Sequence, residues 1–366
     1  MSASTPTPTP TPTPHTPIGR VLGLSVGLAA IVAVIVLAFA WPSVTAEPHD
    51  LPVAVSGPAE AVTAVTDALD KKQPDVFAFD DVADRDAAVT AIEKREVYGA
   101  IVLGDAPGAA PEVLTSSAAN LSVSQLLTQV GAALETQVNA QAAAAAAAAG
   151  APAPDHITVA VTDVVPLADT DPRGTGLTAA MFPLVMGGMI GGIAIAIAVI
   201  GAMRRVLAVV VYSAVGGVVL TGILAGWFGV LQGDFWVQSA VIALALSAIA
   251  APITGAVALL GRAGIAVGPV IMMLFANPIS GAAMPREFLP GIWGQVGQWF
   301  PPGAAANLLR DVSYFPQADA SFSWLVLAGW TVGGLLLSVL GHFRTAGGAE
   351  PDALAAHEDD PVAVPA

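Results

Sequence analysis

Six stretches of this chain carry no Asp, Glu, Lys, Arg or His: Val21 to Ala40, Ala179 to Ile200, Val206 to Val230, Val237 to Leu260, Ile265 to Ala283 and Phe322 to Leu340. A helix that crosses a bilayer needs roughly 20 consecutive apolar residues. The pattern therefore predicts six membrane spans. Between the first and second runs the period changes. Pro52 to Gly57 reads as a short strand, and Pro58 suits the first turn of a helix. Ala61, Val65 and Leu69 then recur at helical spacing. Val76 to Phe79 is a second strand, Asp84 to Glu96 a second helix, Tyr98 to Leu103 a third strand and Val113 to Ser117 a fourth. Leu127, Val130, Leu134 and Val138 mark one face of a long helix that runs into Ala142 to Ala149. Gly150, with the prolines after it, breaks that helix. Ile157 to Val165 alternates and returns as a strand. Strands alternating with helices predict a small open sheet with helices packed on it.

The fold class expected is an α-helical polytopic membrane protein of six spans, with an outward-facing α/β domain between spans one and two. Residues 1–17 form a Thr-Pro arm, polyproline-like or disordered because alternate prolines remove backbone donors. Residues 18–41 are the transmembrane anchor, and 42–178 the extracytoplasmic α/β domain. Residues 179–343 form a five-helix transmembrane domain with a Pro-rich outer hairpin at 284–320, and 344–366 an acidic cytoplasmic tail. Val44-Thr45-Ala46 is a small-residue site of the signal-peptidase kind. The apolar run before it exceeds a usual signal core, so an uncleaved anchor is expected.

Charge orients the spans. Arg20, Arg204, Arg205, Arg262 and Arg344 fall on one side if the N-terminus is inside, as the positive-inside rule requires. Trp41, Trp227, Trp236, Trp293, Trp299 and Trp324 fall on the other, where an aromatic belt sits. Both termini are expected in the cytoplasm of a cell carrying this chain as a multi-pass plasma-membrane protein. Hydrophobic residues make up 55% of the sequence, too many for a soluble domain of this size. The net charge is -15, and residues 42–178 hold 19 acids against 6 bases. That balance argues against nucleic acid or anionic lipid as the main partner, and the lipid bilayer itself is the first partner expected.

Several chemistries are excluded. There is no cysteine, so disulfides, thiolate metal sites and thiol nucleophiles are absent. A P-loop needs Gly-Lys followed by Ser or Thr, and none of Lys71, Lys72 and Lys94 follows glycine. The five histidines are scattered, with no second ligand at useful spacing. Asp80, Asp81, Asp84 and Asp86 lack the glycine and terminal Glu of a calcium loop and suit a helix start. No catalytic set, cofactor or metal is expected, and the chain is not read as an enzyme. The neutral spans also lack the buried acid, Lys or His that a proton-driven pump uses.

Small residues recur at interval four in the membrane part, as at Gly187 and Gly191, Gly222 and Gly226, and Gly329 and Gly333. Such pairs let helices approach closely, within one chain or across a dimer. The most specific segment lies between the last two runs. It contains Asn277, Pro278, Ser280, Gly281, Pro285, Pro290, Trp299, Pro301, Pro302, Asn307, Arg310 and Asp311. Its prolines punctuate two amphipathic stretches, Pro285 to Trp299 and Gly303 to Val312, which read as elements dipping into the bilayer or lying on its surface. Asn277, Pro278, Ser280, Pro285, Pro290, Pro301, Pro302, Asn307, Arg310 and Asp311 are the candidate translocation and hairpin residues.

One span, a large outer domain, then five spans with a Pro-rich outer hairpin before the last resembles the type-2 family of ABC exporter permeases, and within it the phage-infection-protein-like branch. The likeness covers most of residues 20–343, and the Asn277-Pro278 to Pro301-Pro302 and Asn307 to Arg310 patterns carry its sharpest part. The resemblance implies a dimeric permease, served by a separate ATP-binding subunit, that exports hydrophobic or amphipathic molecules. The loop Gly201 to Arg205 departs from that family, being too short for a cytoplasmic coupling helix plus its connections. The alternative is a non-transporting receptor or cell-envelope scaffold that works through its extracytoplasmic domain.

Overall fold

The computed structural model describes residues 16–104, 110–152 and 155–344. Most of the Thr-Pro arm and the acidic tail after Arg344 lie outside the described residues. The chain enters through one long apolar helix, α1 (Ile18–Val44). An α/β domain follows, built as β1 (Leu51–Ser56), α2 (Ala59–Lys72), β2 (Phe77–Asp81), α3 (Arg85–Glu93), β3 (Gly99–Val102), β4 (Glu112–Thr115), α4 (Leu121–Ala148) and β5 (Ala160–Asp163).

The strands pair in the order β2-β1-β3-β4-β5. β1 is parallel to both β2 and β3, because each connection crosses over through a helix. β4 pairs antiparallel to β3. Alternation along the strands builds two cores. Leu51, Val53, Ile101 and Val113 pack with Leu69 of α2 and Leu127 of α4 on one face. Ala54, Ala100 and Leu114 pack with Ala88 and Ile92 of α3 on the other. Asp84, from the acidic cluster, caps α3 by accepting from the Ala87 amide at 2.8 Å. Asn120 caps α4 in the same way.

The membrane part consists of α5 (Thr175–Ala198), α6 (Ala202–Thr221), α7 (Phe235–Leu260), α8 (Trp293–Gly297), α9 (Pro301–Tyr314) and α10 (Ser321–Arg344). Asp171 starts α5 by accepting from the Thr175 and Gly176 amides. α6 loosens into a π-helical turn at Gly222–Trp227. α7 is the hub and packs against α5, α6, α9 and α10. Its seam with α10 pairs Gly334 with the backbone of Ala251 and Pro252, and Gly341 with Ala258. The seam also carries two hydroxyl contacts, Ser247 with Thr331 at 2.9 Å and Thr254 with Ser338 at 3.2 Å. Small side chains bring the backbones together, and the hydroxyls satisfy one another where no water reaches.

Among the described residues, five helices are long and apolar enough to cross a membrane. The run Ile265 to Ala283, expected as a sixth long helix, differs. It is a 3-10 segment at Gly261–Ala266 followed by a π-helical segment at Gly268–Ala276. Pro269 cannot donate its backbone bond, and Gly264 and Gly268 press closely on Ala256 and Ile253 of α7, so a regular helix does not form. This segment still runs back along α7: Met272 packs with Ile249 and Val185, and Ser280 reaches Gln298 beside α9.

The spaced glycines divide. Gly188, Gly191 and Gly192 meet α6 or α7, whereas Gly222, Gly226, Gly329 and Gly333 have nothing where a Cβ would stand.

Candidate functional site

The hairpin expected at 284–320 is two helices of unequal weight. α8 is five residues long, and α9 is a full amphipathic helix opened by Pro301 and Pro302, where missing amides cost nothing. The apolar side of α9 (Ala304, Ala305, Leu308 and Leu309) is buried in the bundle core with Val241 and Ile242 of α7 and Leu327 of α10. Gly297 leaves room for the Ile279 carbonyl, so the end of α8 sits directly on the turn that follows Gly268–Ala276. The polar side of α9 faces the α/β domain and presents Asn307, Arg310 and Asp311 to it.

Arg95 closes this junction. Its guanidinium donates to Asp311 Oδ1 at 2.6 Å and to Asn307 Oδ1 at 3.0 Å, across 216 and 212 residues of chain. Asn307 donates in turn to Gln298 Oε1 at 2.5 Å, and Gln298 donates to the carbonyls of Ser280 and Gly294, both at 3.1 Å. Beside this relay, Tyr98 donates to Glu287 Oε2 at 2.8 Å, and Arg286 pairs with Glu287 at 2.8 Å. The amides of Glu47 and His49, just after α1, donate to the carbonyls of Phe288 and Glu287. Phe315 fills the centre, buried against Ala118 and Ala119, with Arg95 stacked 5.8 Å over its ring.

The backbone at Arg95 explains how its side chain gets there. Arg95 has φ +60, the left-handed region where glycine usually ends a helix. The Arg95 amide donates to Ile92 and the Glu96 amide to Ala91, the two bonds of a Schellman ending. A non-glycine residue there costs about 1 kcal/mol or more. The ion pair and the ring contact offset that strain and fix the residue.

Electrostatics at the site follow burial. Arg95 and Asp311 are only 17% and 10% exposed. Burial raises the Asp311 carboxyl above its usual value, against the opposing pull of Arg95. Burial, with Arg95 nearby, lowers the Arg310 guanidinium to about 10, against Tyr98, Asp311 and Tyr314. Arg310 thus keeps its charge at neutral pH. Burial and Glu287 together push the Tyr98 phenol up.

These residues line a cleft of about 710 Å³ between the α/β domain and the hairpin. A second, smaller cavity of about 340 Å³ lies toward the start of α5, and Arg310 borders both. On the bundle side, Trp299 and Phe322 close the polar cleft and also head an apolar groove of about 860 Å³ along α10. That groove runs past Gly329 and Gly333 to Leu340.

Of the candidate residues, Pro285, Asn307, Arg310 and Asp311 line the cleft, and Ser280 contributes its carbonyl to the relay. Asn277 and Pro278 form the turn that precedes it, where Ser280 Oγ donates to the Asn277 carbonyl at 2.7 Å. Pro290, Pro301 and Pro302 shape the hairpin and do not border the cleft. Sequence reasoning missed Arg95, Tyr98, Glu287 and Gln298. No local pattern marks Arg95, and the only sequence signal is its place at the end of a predicted helix where glycine would be expected. No family model matches the chain, and no characterised protein and no solved structure matches it.

Proposed function

We propose that the chain is the permease subunit of an ABC-type exporter for amphipathic molecules, powered by a separate ATP-binding subunit and embedded in the plasma membrane. The observation that carries this reading is a polar cleft and an apolar groove on the bundle surface that share Trp299 and Phe322 as a common wall. A molecule with a polar head and an apolar tail fits such a pair, and a uniformly polar solute does not. In this reading the irregular segment from Gly261 to Ser280 is the sixth crossing, since it returns along α7 to the hairpin. Both termini are then cytoplasmic and the α/β domain faces outward, as the arginines near the span ends favour. Helix-breaking residues are tolerated there because the neighbouring helices enclose the freed backbone.

One observation favours the alternative, a non-transporting envelope scaffold. α5 ends at Ala198 and α6 begins at Ala202, leaving no room for a helix that docks on an ATPase. The deciding experiment purifies the full-length protein from its own cells in mild detergent and assays the eluate for ATP hydrolysis with and without added amphipaths. A co-purifying ATPase stimulated by amphipath supports the permease. No ATPase, together with unchanged export of amphipaths after deletion of the gene, removes it in favour of the scaffold.

A further inference from the structure

Arg310 borders both cavities, and Asp311, Tyr98 and Tyr314 act on its charge only at a distance. It donates no hydrogen bond to any described residue and makes no ion pair with one. Asp311, its neighbour in sequence, is taken by Arg95 at 2.6 Å. Glu287 is taken by Tyr98 and Arg286. Glu96 and Asp319 border the same cleft, but both are exposed at its edge. A guanidinium at the meeting of two cavities, with its nearest carboxylate already engaged, leaves its forked donors open to a ligand.

The apolar side is equally specific. Gly334 and Gly341 press on α7, whereas Gly329 and Gly333 leave open space beside that seam, in a groove that Pro252 of α7 also borders. From Phe322 to Leu340 the groove follows nineteen residues of helix, eighteen steps or about 27 Å at 1.5 Å per step. That is close to the depth of a bilayer's hydrocarbon core. Its walls are Leu325, Leu336, Leu337 and Trp330, without a charged side chain.

We propose that this surface holds an acyl amphipath with an anionic head, drawn from the bilayer, its phosphate or carboxylate on Arg310 and its chain along the Gly329–Gly333 face of α10. Trp299 and Phe322 stand where head gives way to tail and are in edge contact with a centroid separation of 4.9 Å. Their rings have an apolar body suited to the first methylenes, and the indole lies at the polar boundary. Charge sets the preference: a planar guanidinium matches both a carboxylate and a phosphate in two-point contact. The assignment rests on the exporter reading for what happens to the ligand afterwards, but not for its binding.

The test uses the full-length protein in a neutral detergent and three probes with one brominated stearoyl chain: the free fatty acid, the lysophosphatidic acid and the lysophosphatidylcholine. Bromine on the chain quenches the emission of nearby tryptophans, which reports occupancy of the groove. The two anionic probes should bind about tenfold or more tightly than the zwitterionic one, the scale of a charge-assisted contact. Preference for one anionic probe over the other tells phosphate from carboxylate. Arg310→Gln should bring the anionic probes to the level of the zwitterionic one, and Arg310→Lys should restore much of the difference. Gly333→Leu should weaken all three alike. Equal binding of the three probes to the unaltered protein overturns the proposal without any variant, as does an anionic preference that survives Arg310→Gln. Anion-selective binding in a protein that never recruits an ATPase would uphold this site while removing the permease, and an amphipath-stimulated ATPase without selective binding would do the reverse.

Discussion

α1 and α7 are both long apolar helices, and α1 is the more apolar of the two. Their surroundings could hardly differ more. In the most apolar stretch of α7, 78% of residues are buried inside the protein; in that of α1, none are. Among the described residues, α1 is held by Trp41 against Trp293, by the Gly268–Ala276 segment and by the backbone bonds of Glu47 and His49 to the hairpin. α7 is held along its length by small residues and paired hydroxyls. Hydropathy therefore reports what can enter a membrane and says nothing about what packs there. Within lipid there is no hydrophobic gain from joining two helices, so close backbone approach and shared hydrogen bonds decide.

That contrast can be broken most forcefully at Gly334. A Cβ there would land on the backbone of Ala251 and Pro252, which cannot move aside as a side chain could. Gly334→Leu should cost roughly 4 kcal/mol or more and abolish the folded bundle, read as loss of a cooperative thermal transition in detergent. A variant that melts like the parent would mean that α7 and α10 are not packed as described.

The next largest effect tests whether the α/β domain is fastened to the hub rather than to α1. Arg95→Ala leaves Asp311 buried and unpaired, at a cost of about 3 kcal/mol. The junction should open to added protease while the bundle transition stays. Arg95→Gly should be milder by about 1 kcal/mol, because it relieves the left-handed backbone as it removes the pair. If Gly is no better than Ala, strain at Arg95 is not a real cost.

Smaller again is the half-exposed pair between α3 and β4, Arg85 with Glu112 at 2.6 Å. Arg85 and Thr162 hold the Glu112 carboxyl below its usual value. Its contribution is then complete above the ordinary glutamate pKa of 4.5 and is lost as pH falls through the lowered folded value. Glu112→Gln should cost under about 1 kcal/mol at pH 7 and nothing in strong acid, measured as the difference between two melting curves. A pH-independent difference would show that shape and not charge is at work. The smallest effect belongs to α1. Gly23→Leu meets empty space and should change stability by less than about 0.5 kcal/mol. A marked loss would show that α1 packs on something after all.

Local pattern reached most elements of the α/β domain. Asp84 announced one helix start and Pro58 another, because capping and first-turn chemistry are written within a few residues. The cap that Asn120 places on α4 was not read, and neither was the division of Val53 and Ala54 between two cores. Sheet order was not legible, since pairing β1 with β3 rather than β2 alone depends on crossovers that no single strand encodes. In the membrane, the apolar runs gave five helices but overstated Ile265 to Ala283, where Pro269 and two close-packed glycines prevent a regular helix. At the site, Asn307, Arg310 and Asp311 stood out as polar groups on an apolar hairpin. Arg95 did not, because its meaning comes from a partner more than two hundred residues away, and only its backbone conformation marks it as unusual.

The left-handed ending of α3 has a consequence for how this chain can vary. Each residue of an α-helix turns the next by about 100°. One residue inserted into or deleted from α3 would swing the guanidinium to another compass point and carry it away from Asp311. Side chains on the solvent face of α3 are free to drift, but its length is not. The helix serves as a measured spacer, and counting its residues is how the domain finds its seat.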